Sequence, residues 1–142
     1  MGVRVRVRMR AGDRSVTAVA LANSGFESYE PDVVVPEGLA ARLGLLESMR
    51  GEYIEVMTAG GELRCPYLRG AVVLGLVLED RDSPEVLCNV LVHPFEEEVL
   101  LSDAVMEELG IEILSPRSGV WRLRDDPPGL RRASAPRTRT GS

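Results

Sequence analysis

The chain opens on strict alternation. Val3, Val5, Val7 and Met9 share one parity, and Arg4, Arg6, Arg8 and Arg10 the other. A period of two marks a strand with one buried face. The Arg face is expected to lie in solvent, where like charge discourages edge pairing with another chain. Ala11-Gly12-Asp13-Arg14 supplies a turn, and Val16–Ala22 is apolar again, which predicts a hairpin. The apolar run stops at Asn23-Ser24-Gly25 and stays polar through Glu27, Ser28, Glu30 and Asp32. Val33–Val35 then reads as a short buried strand and Pro36-Glu37 as a first helical turn. Proline lacks the N–H that this turn leaves unpaired, and an acid suits the positive end of the helix. Leu39, Ala40, Leu43 and Leu46 keep helical spacing, with Gly44 as the stop.

The pattern then starts again. Tyr53–Thr58 and Glu62–Leu68 are strand-like, joined by a compact turn, Ala59-Gly60-Gly61. Ala71–Glu79 is continuously apolar and predicts a strand buried on both faces. After an Asp80–Pro84 loop comes a strand over Val86–His93, stopped by Pro94, and Glu96-Glu97-Glu98 reads as a solvated acidic turn. Val99–Leu101 is a short strand. Ser102-Asp103 starts a helix whose inner face is Val105, Met106 and Leu109, and Gly110 ends it. Ile111–Leu114 and Val120–Leu123 make a last hairpin. Strand, strand, polar loop, short strand and helix over 3–46 is thus echoed over 52–110. So many short strands predict a mostly β domain with a closed or nearly closed sheet and two short helices. Beyond Arg124 the apolar periodicity is lost. The expected division is a domain over 1–124 and a disordered or loosely attached Arg- and Pro-rich tail over 125–142.

Composition narrows what this domain does. At 142 residues it can bury a real core, and with 4% aromatics that core is built from Val, Leu, Ile and Ala. The net charge is −5, yet from Asp125 onward four Arg face two Asp, so the body is more acidic than the whole. Phosphate contacts need clustered cations, which argues against nucleic acid. All the cations are Arg. No apolar run reaches the length of a membrane span, the N-terminus lacks the apolar centre of a signal peptide, and Arg6 stands where a myristoylation motif needs Ser or Thr. A cytoplasmic protein without a membrane partner is expected. Cys65 and Cys88 lack metal-ligand spacing and read as buried free thiols, with a disulfide as the alternative. His93, the only histidine, has no nucleophile pattern around it and reads as structural or surface. Gly60-Gly61 is followed by neither a helix nor a Lys, so it is no phosphate loop. No cofactor or metal is expected.

The stretch around which the chain is organised is Ala20–Glu27. Gly25 can take positive φ, and Asn and Ser side chains bond nearby backbone. A small polar loop therefore closes a buried strand, a position that ends many ordinary strands and also holds much chemistry.

The repeat and its punctuation resemble the retropepsin-like aspartic proteases, in particular the small archaeal and bacterial type, over residues 3–124. Ala20–Gly25 is similar to the apolar strand that runs into Asp-Thr/Ser-Gly, with Ser24 and Gly25 in place and Asn23 at the Asp position. Ala59-Gly60-Gly61 stands where the family has its glycine-tipped flap. Leu100-Leu101-Ser102 matches the apolar-apolar-Gly motif before the second helix, with Ser for Gly. Val33–Leu45 also looks like the small members. The resemblance implies a closed retropepsin-like β-barrel and a homodimer in which two copies of the loop meet. In the family each loop brings one Asp, and the pair shares a proton, one acting as base on water and the other as acid. An amide at position 23 does neither, at a cost of about 10²–10⁴-fold for each role.

The implied reading is a catalytically inactive homodimer with a degenerate site at Asn23, Ser24 and Gly25. It binds a peptide or unfolded protein segment through Phe26, Glu27, Ala59, Gly60 and Gly61 by strand addition under the flap. The alternatives are an aspartic endopeptidase with weak or conditional activity, and a structural dimerisation module with a vestigial groove.

Overall fold

The computed structural model describes residues 2–22, 26–48 and 51–137. Strands β1 (Val3–Ala11) and β2 (Arg14–Ala22) pair antiparallel across a tight turn in which Gly12 takes φ +61°. The alternation of the sequence is realised, with Val3, Val5, Val7 and Met9 all buried. Then follow β3 (Asp32–Pro36), α1 (Glu37–Arg42) and a 3₁₀ turn over Leu45–Ser48. Next come β4 (Tyr53–Thr58), β5 (Gly61–Leu76), β6 (Glu85–His93), β7 (Val99–Leu101), α2 (Asp103–Leu109), and the hairpin of β8 (Ile111–Ser115) and β9 (Val120–Leu123).

Six strands close into a barrel in the order β1-β2-β7-β3-β6-β5, with β5 returning to β1. The protein is therefore mostly β, a closed six-stranded barrel with two helices. Its pairing is symmetric within the chain. Replacing β1, β2 and β3 by β5, β6 and β7 reproduces each contact: the two hairpins, the parallel pairs β2–β7 and β3–β6, and the antiparallel pairs β1–β5 and β3–β7. The echo read in the sequence is thus a structural one. Closure leaves no free edge within the barrel, and the interior fills with Val, Leu and Met side chains from both halves.

Where two strands were expected over Glu62–Leu68 and Ala71–Glu79, β5 is one long strand. Its first part pairs with β4 outside the barrel and its second with β6 and β1. The register shifts between Leu68 and Val72, where Gly70 takes φ +55° and its N–H donates to Asn89 Oδ1 at 2.8 Å. Nor is this strand buried on both faces. Val72, Leu74 and Leu76 are buried, whereas Val73 on the other face is half-buried and Val77, just past the end of the strand, is exposed. Leu46, expected on the inner face of the first helix, is also exposed. Gly44, at φ +73°, breaks the helical period and Leu45 is buried in its place.

Two expectations about charge are corrected. Glu98 is not part of a solvated turn. It is buried and its carboxylate takes Arg4 at 2.8 Å and Arg137 at 3.2 Å. The segment 125–137 is not loosely attached. Asp126, buried, accepts from Leu123 N at 2.8 Å, from Arg132 Nε at 2.9 Å and from Arg81 Nη1 at 3.2 Å. Hydrogen bonding to Arg132 holds the Asp126 carboxyl well below the usual carboxylate range. Trp121 and Arg132 exchange backbone hydrogen bonds, and Ser134 Oγ accepts from Arg4 N at 2.9 Å. Arginines that look like a solvated tail in sequence meet carboxylates distant in the chain. Residues 138–142 lie outside the described residues. Among the described residues no helix is long and apolar enough to cross a membrane.

Candidate binding groove

β2 ends at Ala22 opposite Leu101 of β7, and β7 lies between β2 and β3. Asn23, Ser24 and Gly25, on which the degenerate catalytic site was placed, lie outside the described residues. The residues that follow are stitched to the start of α2. Phe26 O accepts from Asp103 N at 3.0 Å, Ser28 N donates to Asp103 Oδ1 at 2.8 Å, and Ser102 N donates to Asp32 O at 3.2 Å. Helix α2 is itself well ended. Ser102 Oγ accepts from Val105 N at 3.4 Å, and Gly110 closes the helix at φ +80°. A capped helix thus holds Phe26 and Ser28 in place.

Beneath the β4–β5 hairpin lies a groove of about 780 Å³. The segment after β2 contributes Phe26, Glu27 and Ser28, the end of β6 contributes His93, and the loop after it contributes Phe95 and Glu96. Ile54, Val56, Met57 and Thr58 come from β4. The two loops occupy equivalent places in the two halves of the barrel, so the symmetry of the fold converges on this groove. Of the residues expected at a binding site, Phe26 and Glu27 line it. Ala59, Gly60 and Gly61 do not; they form the exposed turn at the end of the hairpin, beside Met57 and Thr58. Thr58 Oγ1 holds that turn, accepting from Gly60 N at 3.2 Å and donating to Gly61 O at 2.8 Å.

The groove has a polar centre that the sequence reading did not find. Asp32 accepts from Tyr67 Oη and Ser28 Oγ, both at 2.5 Å, and from Asn89 Nδ2 at 3.0 Å. Burial, followed by the hydrogen bond to Asp32, raises the Tyr67 hydroxyl well above its ordinary range, so it stays a donor. Asn89 also serves the Gly70 bulge, which ties the groove wall to the kink in β5. One signal was available. Asn89 interrupts the apolar run Val86–Val92, and a buried amide there needs partners. His93, read as structural or surface, lines the groove. Its Nδ1 accepts from Phe95 N at 3.1 Å, and the two rings meet edge to face with centroids 6.4 Å apart.

A second cavity, about 620 Å³, lies near the β1–β2 turn and carries both signs of charge, with Arg14 and Arg69 beside Glu47 and Glu52. Cys65 and Cys88 are free and buried, and burial pushes the Cys88 thiol up to about 12. Among the described residues no group of three or more His, Cys, Asp or Glu side chains is placed to hold a metal ion.

No family model matches the chain, and no curated protein matches it.

Proposed function

We propose that the chain is a retropepsin-like homodimer that lacks the acid dyad and binds an extended peptide or protein segment beneath the β4–β5 hairpin. The observation that carries this reading is the groove itself. It joins Phe26 and Glu27, which directly follow Asn23-Ser24-Gly25, to Met57 and Thr58 beside the glycine turn. The placement of β7 between β2 and β3 and the hairpin standing off the barrel agree with the resemblance seen in the sequence. Met57 and Phe95 are 73% and 77% exposed, so their apolar surface is available for a ligand's side chains. In the described residues β4 pairs only with β5, which leaves its other edge for main-chain hydrogen bonds to an added strand.

Chemistry is excluded from this reading by position 23. A carboxamide cannot take a proton from water near neutral pH, and a symmetric dimer doubles the loss. Asp32 does not replace it, because its oxygens already accept from Ser28, Tyr67 and Asn89.

The test is the Asn23→Asp variant with unmodified protein beside it, assayed on a peptide library with and without pepstatin. The variant is expected to cleave at least ~10²-fold faster than the unmodified chain, with pepstatin sensitivity. Pepstatin-sensitive cleavage by the unmodified chain overturns the inactive reading. Sedimentation showing only monomer at micromolar concentration overturns the dimer.

A further inference from the structure

We infer that the segment bound in this groove carries a cation: an Arg or Lys set among large apolar side chains. The inference rests on the groove reading above and adds its specificity.

The charge lining the groove is one-sided. Glu27, Asp32 and Glu96 face it, and among the described residues no Arg does. Elsewhere the buried acids are matched, Glu98 by Arg4 and Arg137 and Asp126 by Arg132 and Arg81. Some exposed ones are too, Glu30 and Glu52 by Arg69 and Asp80 by Arg132. Among the described residues neither Glu27 nor Glu96 has an ion-pair partner. The other large cavity differs in this respect, since Arg14 and Arg69 line it together with its acids and Arg69 pairs with Glu52 at 3.1 Å.

The two unmatched acids come from the equivalent loops after β2 and β6, and Asp32 lies between those elements on β3. A cation in the groove therefore meets acids from both halves of the barrel. Phe95 adjoins Glu96 and is largely exposed, so a guanidinium stacked on its ring can also reach that carboxylate. Met57, Ile54 and Val56 bring apolar contact along β4, which a small free cation cannot use. The acidic lining repels phosphate, which disfavours nucleic acid or an anionic lipid surface. A basic, apolar, extended peptide satisfies all three features.

The test uses dye-labelled peptides of the frame Leu-Val-Phe-Xaa-Leu-Val, with Xaa as Arg, Gln or Glu, and reads fluorescence anisotropy on the full chain. The Arg peptide is expected to bind about tenfold tighter than the Gln peptide at low salt, with the Glu peptide weakest. Raising salt to about 0.5 M shrinks the difference. Glu27→Gln with Glu96→Gln removes most of the difference between the Arg and Gln peptides. Both side chains lie outside the core, and an unchanged melting temperature verifies the fold. Equal affinity for the Arg and Gln peptides, or a preference for Glu, overturns the cation and leaves the groove reading intact. No binding by any of the three peptides overturns the groove reading and the cation with it.

Discussion

The two halves of the barrel follow one plan, but their loops are held by different forces. In the first half, Phe26 and Ser28 after β2 are held by backbone hydrogen bonds and by Asp103 at the capped end of α2. In the second, the loop leaving β6 is fixed by an ion pair, with Glu98 buried against Arg4 and Arg137. The hairpin turns differ in the same way. The β1–β2 turn closes tightly on Gly12, whereas the longer β5–β6 connection is clamped by Asp80–Arg132 and by Arg81 with Asp125 and Asp126. A duplicated unit is enough to form the barrel, and charge specific to one copy then makes the halves unequal. In the sequence, Asn23 belongs to the half whose connection after β2 has no buried carboxylate ion pair among the described residues.

The sharpest way to break this contrast is Glu98→Gln. Removing one partner of a buried pair leaves Arg4 uncompensated and is expected to cost about 3 kcal/mol by urea unfolding. Glu96→Gln, two residues away on the groove side, should stay within about 0.5 kcal/mol. Equal losses at the two positions would mean that the loop is not held by its ion pair.

Asp126→Asn comes next, at about 2–3 kcal/mol. Amide exchange should rise along the β5–β6 connection and remain unchanged at the β1–β2 turn. The same group sets an acid dependence. Its carboxyl is held below the ordinary value of 3.8 by Arg132, so the folded state binds that proton less readily than the unfolded chain. The stabilisation is complete above about pH 4 and is lost as pH falls toward the folded value. Thermal melts between about pH 5 and 2 should show a shallower acid decline in the Asn variant.

The smallest effect separates the helices. Ser102→Ala removes the cap of α2 and should cost about 1 kcal/mol. Pro36, at the same place before α1, makes no side-chain cap bond, so Pro36→Ala should shift the melting temperature less.

Much of this architecture was legible because it is local. The period of two in Val3–Met9, Pro36 before α1, Ser102 before α2 and the repeat itself all follow from neighbours in sequence. What was hidden depends on distant partners. Glu98 looks like the third member of an acidic turn until Arg4 stands beside it, and Arg132 looks like tail until Asp80 and Asp126 are placed. At the groove, Phe26 and Glu27 followed from the resemblance, which also led to the hairpin. It named the turn residues Ala59–Gly61, where the lining comes from the strand residues just before them. Asp32, Tyr67 and Asn89 come from three different strands, and their meeting depends on the parallel register of β3 and β6.

The two buried thiols stand in different compartments. Cys65 belongs to a small cluster with Val34, Tyr67 and Leu91 under the hairpin, while Cys88 is part of the main barrel interior. An alkylating reagent therefore meets two clocks in one molecule. Cys65 reacts at the rate at which the hairpin lifts, and Cys88 at the rate at which the whole barrel opens. A groove ligand that pins the hairpin slows the first clock more than the second, because it opposes the local opening directly and global opening only through the stability its binding adds.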